Sequence, residues 1–256
     1  MMDGRGDSPV TEASAFYDEQ WAELGDFIRY NPGARHRRRM VARMLRGVEF
    51  DSVLDVGCGP GEMLLWIRRA FPEARTLWGV DVALETIGRN RERIPWARFE
   101  QVDIERERIR QDFDLVICSE VVEHLQDRPA ALRNLASMVK TGGHLLVTCP
   151  TGRMFPTELR FGHVSHPTVD ELLALGADNG LDTQRYEHWG WPTYSITKRL
   201  TNLWPNWAMQ QFAKGRYSVG KRLVSSGLYV LNFANLTSAA SGCQLFWLYR
   251  KPAPQP

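Results

Sequence analysis

The sequence contains few of the features that mark secreted or membrane-spanning proteins. Only four cysteines occur in 256 residues, and Cys58, Cys118, Cys149 and Cys243 stand far apart. This spacing predicts free thiols rather than disulfides or a thiolate zinc site. No apolar run is long enough to span a bilayer, and the first ten residues lack the apolar stretch of a signal peptide. We therefore expect a cytoplasmic protein.

Acidic side chains are absent from the last part of the chain. From His188 to Pro256 there is no Asp or Glu, whereas eight Lys or Arg and 12 aromatic residues occur there. The first 187 residues hold 24 basic and 30 acidic side chains, a net charge of −6. Basic and aromatic residues together suit an anionic small molecule, a membrane headgroup surface or single-stranded nucleic acid, although a merely solvated surface has the same composition. Because no recognised RNA-binding module accompanies them, nucleic acid is the least favoured partner.

Short apolar runs alternate with helix-like segments through the middle of the chain. The predicted strands are Ser52–Val56, Thr76–Asp81, Ala97–Val102, Phe113–Ser119, Gly143–Thr148, Leu181–Glu187 and Leu245–Lys251. The predicted helices between them are Glu62–Phe71, Leu84–Arg91, Pro129–Val139 and Thr168–Asn179. Buried strands separated by crossover helices predict an α/β fold with a doubly wound, mostly parallel sheet.

Composition also divides the chain into segments. We expect a mobile tail over residues 1–15, N-terminal helices over 16–48, a ligand-binding core over 49–188, a helical cap inserted over 189–244 and a last core strand over 245–252. The Arg35–Arg39 run, in the second N-terminal helix, is interpreted as a solvated face.

A glycine-rich turn joins the first predicted strand to the first predicted core helix. Glycines at positions 57, 59 and 61 permit a sharp turn and a close approach of a ligand to the backbone. A dinucleotide fingerprint requires a glycine at position 62, where Glu62 stands instead. The carboxylate of Asp55, just before the turn, would repel a pyrophosphate but suits a cationic ligand that carries an amino acid.

Two further aspartates end the second strand and follow the third. Asp81 stands 20 residues after Gly61, the separation at which an acidic residue meets ribose hydroxyls in such folds. Asp103 is placed to accept a hydrogen bond from an adenine amino group. One acidic residue at each successive strand end predicts a nucleotide-type site along the carboxyl edge of the sheet.

From Phe50 to Glu187 the sequence resembles the class I S-adenosylmethionine-dependent methyltransferases. The resemblance rests on the Asp55–Gly61 turn, Asp81, Asp103, the Phe113–Val116 strand and the Lys140–Gly143 turn. It implies a Rossmann-like sheet of seven strands with the last one antiparallel, and S-adenosylmethionine as cofactor. The residues that it places against the cofactor are Asp55, Gly57, Cys58, Gly59, Gly61, Asp81, Val82, Asp103, Ile104, Ser119 and Glu120.

The segment after the fourth strand carries the first candidates for chemistry. Glu120, Glu123 and His124 stand at i, i+3 and i+4, which gathers them on one face of a helical turn. Such a set, with His166 from a later loop, can bind a hard divalent cation such as Mg²⁺. It resembles the metal site of ubiquinone-pathway O-methyltransferases and of small-RNA 3′-terminal 2′-O-methyltransferases. The same motif occurs in metal-free relatives, so both interpretations stay open.

Three histidines are candidate general bases. His163 and His166 fall on the loop after the fifth strand, and His124 lies beside them at the predicted mouth of the site. We expect methyl transfer to a hydroxyl of a small or lipid-linked metabolite of the sugar, phenol or natural-product type. The cap would close the site, set acceptor specificity and offer peripheral membrane contact. Transfer to an amine, transfer to the 2′-hydroxyl at an RNA 3′ end, and a sensor that binds the cofactor without turnover remain alternatives.

Overall fold

One eight-stranded sheet forms the centre of the protein. The computed structural model describes residues 9–213, 215–237 and 240–253. The strands are β1 (Ser52–Val56), β2 (Thr76–Asp81), β3 (Arg98–Gln101), β4 (Phe113–Ser119), β5 (Val139–Pro150), β6 (Asp182–Trp191), β7 (Leu236–Thr237) and β8 (Gln244–Arg250).

The strand order across the sheet is β3-β2-β1-β4-β5-β8-β6-β7. Strands β1 to β5 are parallel, and β8 runs antiparallel between β5 and β6. The predicted fold class, a mostly parallel Rossmann-like sheet with an antiparallel last strand, is confirmed. Among the described residues the sheet has eight strands rather than seven, because the two residues of β7 add a short antiparallel edge to β6.

Helices cover both faces of this sheet. They are α1 (Pro9–Glu23), α2 (Phe27–Tyr30), α3 (Pro32–Met44), α4 (Glu62–Ala70), α5 (Leu84–Arg93), α6 (Arg128–Ser137), α7 (Pro156–Arg160), α8 (Val169–Asp178), α9 (Thr193–Thr201), α10 (Pro205–Ala208) and α11 (Val219–Leu231). Helices α6 and α8 contribute to one buried apolar layer, and α3, α4 and α5 contribute to the other.

The composition of the central strands explains this arrangement. All five residues of β1 are buried; Val53 belongs to the layer with α3 to α5, and Leu54 to the layer with α6 and α8. A strand that is apolar on both faces requires cover on both faces. The carboxyl ends of the parallel strands are then the place where a ligand can reach the sheet.

Helix α1 is fixed across this edge by capping interactions. The Asp18 carboxylate accepts the backbone N–H groups of Glu85 (3.0 Å) and Thr86 (2.8 Å), and the Ser14 hydroxyl accepts that of Leu84 (3.1 Å). These N–H groups belong to the first turn of α5 and have no partner within that helix. The predicted tail over residues 1–15 is therefore corrected for residues 9–15, which are helical; residues 1–8 lie outside the described part.

Most of the described residues between β6 and β8 are helical. They comprise α9, α10, a π-helical turn at Met209–Ala213, and α11, which packs on α2 and α3. The Ser225 hydroxyl of α11 donates to the Tyr30 carbonyl, and a ring nitrogen of His36 lies 2.7 Å from the Tyr229 carbonyl. In the described part of the chain, every helix is too short or too polar to cross a membrane.

Candidate active site

A cavity of about 1110 Å³ opens along the carboxyl ends of the parallel strands. Of the predicted cofactor-binding residues, the structure places nine on its wall: Asp55, Gly57, Cys58, Asp81, Val82, Asp103, Ile104, Ser119 and Glu120. Its volume lies just above the usual range for small-molecule sites, about 300–1,000 Å³. The cavity therefore has room for a cofactor and an acceptor together.

Two predicted residues, Gly59 and Gly61, do not line the cavity. The N–H of Gly59 donates to Asp81 Oδ2 (2.8 Å), and its carbonyl accepts from the Asn90 amide (2.6 Å). Gly61, with a φ of 75°, precedes the first residue of α4 and packs against Ile94. Both glycines shape the turn that presents Asp55 and Gly57 to the cavity.

Asp55 is a buried acid without a partner. Only 2% of the residue is exposed, and its Oδ2 has no hydrogen-bond partner among the described residues. Burial, with the nearby Asp81 carboxylate, raises the pKa of Asp55 well above its usual value. A buried carboxyl of this kind gains most from a cationic group that enters the cavity.

Asp81 and Asp103 lie on the same wall. The two oxygens of Asp81 accept the N–H groups of Gly59 and Ala83 (2.9 Å), yet burial raises its pKa to about 6. Each carboxylate oxygen has a second acceptor position, which leaves capacity for a ribose hydroxyl. Asp103 accepts the N–H of Glu105 (3.1 Å) and pairs with Arg106 (3.2 Å).

The histidine loop after α7 is tied to the turn after β4. Val164 donates its N–H to the carbonyl of Glu123 (2.8 Å), and the N–H of His163 donates to the carbonyl of Glu158 (3.2 Å). The buried Arg128 guanidinium also joins the two segments, because it donates to the carbonyls of Val122 and Ser165. These bonds bring His163 and His166 beside His124, as the sequence predicts.

The bond between His163 and His166 defines a tautomer. Nδ1 of His166 lies 3.0 Å from the Gly152 carbonyl, which only accepts, so this nitrogen carries the proton in the neutral ring. Its Nε2 then accepts from Nδ1 of His163, at 3.2 Å. The neutral His163 ring is left with its lone pair on Nε2.

His124 makes a different set of hydrogen bonds. Its Nδ1 lies 3.1 Å from the Tyr17 hydroxyl, and the ring also hydrogen-bonds the Gly162 carbonyl. Burial lowers the pKa of His124 to about 4. Burial, with His124, His166 and two nearby cations, lowers that of His163 to about 2, and burial lowers the pKa of His166 as well. All three imidazoles are therefore neutral at pH 7, and His163 is the one whose lone pair is not committed to a protein donor by these bonds.

The predicted metal set is not assembled as a single cluster. The Glu120 carboxylate pairs with Arg37 (2.7 Å) and accepts from Thr148 (3.0 Å) and Gln244 (3.2 Å). Among the described residues, two groups have ligand atoms within 4.8 Å of one another, Glu123–His124–His163 and Glu158–His163–His166. Because a guanidinium already neutralises Glu120, the expectation of a divalent cation held by Glu120, Glu123, His124 and His166 is corrected.

Sequence reasoning missed the cavity residues that come from outside the core. They include Tyr17 and Trp21 on α1, Arg37 on α3, and Tyr194 and Lys198 on α9.

The interpretation of Arg35–Arg39 as a solvated face is also corrected. His36 is fully buried and stacks on Trp189, with ring centroids 5.1 Å apart. The spacing of His36, Met40 and Met44 on one helical face was the available signal for burial.

Comparison with known proteins agrees with this geometry. The Methyltransferase domain family matches residues 17–219. A trans-aconitate 2-methyltransferase from Deinococcus radiodurans is 31% identical over 182 residues, covering 58% of this chain and 69% of that protein. One from Enterobacter sp. (strain 638) is 29% identical over 133 residues, covering 51% of this chain, and the chain spans 52% of its length.

Two solved structures share the fold at low sequence identity. A putative sarcosine dimethylglycine methyltransferase from Galdieria sulphuraria has a TM-score of 0.62 at 17% identity, over 94% of this chain and 98% of that one. The N-methyltransferase NodS from Bradyrhizobium japonicum WM9, in complex with S-adenosyl-L-homocysteine, has a TM-score of 0.58 at 19% identity, over 93% and 99%.

The sheet order and the strand-end aspartates define a Rossmann-like nucleotide-binding enzyme. With residues 17–219 matched, the chain belongs to the methyltransferase-domain family, and its cofactor is S-adenosylmethionine.

Proposed function

We propose that the protein transfers a methyl group to a hydroxyl oxygen of a small or lipid-linked metabolite, with His163 as general base. The observation that carries the proposal is the neutral His163 ring, which lines the cavity that also contains the glycine turn and is hydrogen-bonded to His166 behind the wall. The proton of a hydroxyl acceptor becomes strongly acidic as its oxygen is methylated, so a ring whose pKa is lowered to about 2 can still take it. Nε2 of His163 is the ring nitrogen whose lone pair the tautomer leaves available.

The cavity residues fit the cofactor that the family uses. When bound, S-adenosylmethionine supplies a methyl group on a positively charged sulfur. Asp55, buried and unpartnered, would hold its ammonium group, and Asp81 has acceptor capacity for the ribose. Asp103 and Ile104 would contact the adenine.

His166 and Glu158 support the base. Once His163 takes the hydroxyl proton on Nε2, its Nδ1–H still donates to His166, which keeps the ring in one orientation. The Glu158 carboxylate lies 3.6 Å from Nε2 of His166 and favours positive charge nearby, while its pair with Lys198 (2.5 Å) keeps it in place. His163 is therefore the catalytic residue, and His166 is a positioning residue.

Charge at the acceptor end is partly balanced within the protein. Arg37 is paired with Glu120 and Lys198 with Glu158, while burial raises the pKa of Glu123 well above its usual value. Arg38 also lines the cavity, and Nε of Arg37 has no hydrogen-bond partner among the described residues, so charge alone does not decide between a neutral acceptor and a carboxylate. Transfer to a carboxylate, the activity named for the curated relatives on trans-aconitate, is therefore the alternative that the product must exclude.

The experiment uses a labelled methyl donor and a cell extract that retains both polar metabolites and lipids. We expect a labelled methyl ether, whose label survives mild alkali and is not extracted as an amine. Release of volatile label by alkali would identify an ester and overturn the proposal in favour of a carboxylate acceptor.

Other products decide between the remaining alternatives. A labelled methylamine would support the hypothesis of transfer to an amine. Label confined to RNA 3′ ends would support transfer to the 2′-hydroxyl at an RNA 3′ end. Cofactor that binds tightly but yields no product with any fraction would support a sensor.

A further inference from the structure

The outward faces of α9 and α10 are apolar and exposed. Five large apolar side chains with exposures of 45% to 66% lie along α9, the turn that follows it and α10: Ile196, Leu200, Leu203, Trp204 and Trp207. The other side of α9 carries Thr197, Lys198 and Thr201, which line the cavity. The helix is therefore amphipathic in the reverse sense, with its polar face towards the protein.

Helix α11 repeats this arrangement. Its exposed apolar side chains are Val219, Leu223, Val224, Val230 and Leu231, at 50% to 73% exposure. Its inward side carries Ser225 and Asn232, both buried and both on the cavity wall. Single exposed apolar residues are ordinary, but two helices that both turn apolar stripes outward form a surface that gains by leaving water.

The charge of the surrounding segment indicates what covers this surface. No acidic residue occurs from position 188 onward, and Arg199 and Arg216 are exposed beside the two stripes along the chain. A second copy of the chain would bring two acid-free, cationic segments together, which like-charge repulsion opposes. Anionic phospholipid headgroups complement the same charges.

The exposed tryptophans favour the same partner. Trp204 is 66% exposed and Trp207 is 56% exposed. Indole rings, which have an apolar body and one N–H donor, are enriched at the level of lipid headgroups. Basic residues combined with Trp and Leu on one helical face are typical of helices that lie in the plane of a membrane surface.

From these observations we infer that the outward faces of α9, α10 and α11, here termed the cap's apolar face, dock on the surface of an anionic phospholipid bilayer. The same helices form the cavity wall on their inner sides, so docking brings the acceptor entrance close to the lipid. Resting on the proposed function, this favours a lipid-linked hydroxyl compound as the acceptor class.

Vesicle co-sedimentation of the full chain tests the inference. We expect binding to vesicles of phosphatidylcholine with 30% phosphatidylglycerol to be at least about tenfold stronger than to phosphatidylcholine alone, and to weaken with added salt. The variant W204Q/W207Q/L223Q should lose at least about tenfold in affinity for the anionic vesicles. None of these three residues lines the cavity, so affinity for S-adenosylhomocysteine should be unchanged.

A matched control removes exposed apolar side chains elsewhere. Leu84, the first residue of α5, is 52% exposed, and Trp96, in the loop after α5, is 38% exposed; neither lies on the cap. The variant L84Q/W96Q should bind the anionic vesicles as the unmodified chain does. Equal loss in both variants, or no enrichment on anionic vesicles, would overturn the inference.

Self-association is the competing outcome. Sedimentation equilibrium that shows a dimer abolished by W204Q/W207Q/L223Q, without vesicle binding, would assign the cap's apolar face to a second copy instead. Because vesicle binding is measured without cofactor or acceptor, its failure leaves the methyl-transfer proposal standing. Conversely, a labelled product other than a methyl ether would leave the membrane inference standing.

Discussion

Nδ1 of His163 lies 3.2 Å from Nε2 of His166, and this contact determines which ring nitrogen of His163 remains basic. The direction of the bond follows from Gly152, whose carbonyl accepts from the far side of the His166 ring at 3.0 Å. A chain of two imidazoles that ends on a carbonyl oxygen has only one neutral arrangement of its protons. The loop therefore presents one tautomer of His163 to the cavity rather than a mixture.

Replacement of His163 by alanine is expected to lower kcat for a hydroxyl acceptor by about 10²–10⁴, the usual contribution of a general base. The affinity for S-adenosylhomocysteine should change little, since Asp55 and Asp81 carry that contact. Product formation under saturating cofactor is the measurement. The control is His188→Ala on β6, which does not line the cavity and should leave kcat near its original value.

Replacement of His166 should move the pH profile as well as the rate. Burial is the main cause of the lowered pKa of His163, followed by His124, and the charge that His166 can acquire adds to both, so His166→Ala should raise that pKa by part of the shift. Transfer requires neutral His163, and a raised pKa therefore shifts the acid limb of kcat/KM to higher pH. His166→Gln, whose amide oxygen can accept from His163, should restore part of kcat. An unshifted acid limb in His166→Ala would remove the positioning role.

Asp55 makes cofactor binding dependent on pH. Burial raises its pKa well above the usual value, and the acid must be in its carboxylate form to hold an ammonium group. Affinity for S-adenosylhomocysteine should therefore increase with pH until the pH passes the raised pKa of the free acid, by up to about tenfold per pH unit for one proton released. Calorimetry in buffers of different ionisation enthalpy measures both the affinity and the proton release.

The variant Asp55→Asn tests this linkage directly. It should flatten the pH dependence and weaken binding at pH 7 by roughly 10- to 150-fold, which corresponds to one charge-assisted hydrogen bond of about 1.5–3 kcal/mol. Asp182→Asn, at an exposed position at the start of β6, should leave the pH dependence and the affinity at pH 7 unchanged. A pH dependence that survives in Asp55→Asn would place the titrating group elsewhere, with Asp81, whose pKa is about 6, as the next candidate.

Metal removal should have no effect on turnover. Glu120 is neutralised by Arg37, and the rings of His124 and His163 already bond to Tyr17 and His166. We expect activity after exhaustive chelation to stay within about twofold of the untreated enzyme, with millimolar Mg²⁺ adding nothing. A tenfold loss that Mg²⁺ restores would instead require the Glu123–His124–His163 group to rearrange around a cation.

Local patterns predicted the core well, and for a physical reason. Strands β1, β2 and β4 have the predicted bounds, because buried parallel strands are short apolar runs that end in polar or glycine residues. The glycine turn and the two strand-end aspartates Asp81 and Asp103 are likewise local features. They reach one cavity because parallel strands end at one edge of the sheet.

The rest of the site depends on contacts between distant segments. Tyr17 reaches His124 because Asp18 caps α5, a contact across 67 residues that leaves no local pattern in the sequence. Arg37 meets Glu120 across 83 residues, and this pair converts an expected metal ligand into a salt bridge. A run of arginines indicates charge but not which one faces inward.

Gly57 is expected to be the least replaceable residue of the turn. It has a φ of 67°, and a Cβ there would lie 2.2 Å from Cγ2 of Val121. Gly57→Ala combines left-handed strain, about 1–2 kcal/mol, with this clash, so the free energy of unfolding should fall by more than the strain alone. Gly142→Ala isolates the strain, because its φ is 81° and nothing lies within 4 Å of its added Cβ.

Urea unfolding of both variants, and of Gly57→Ala in a Val121→Ala background, separates the two effects. Shortening Val121 should remove the part of the destabilisation that comes from the clash and leave the part that comes from the strain. If Gly57→Ala lowers the free energy of unfolding by no more than Gly142→Ala does, the clash with Val121 does not occur in the folded protein.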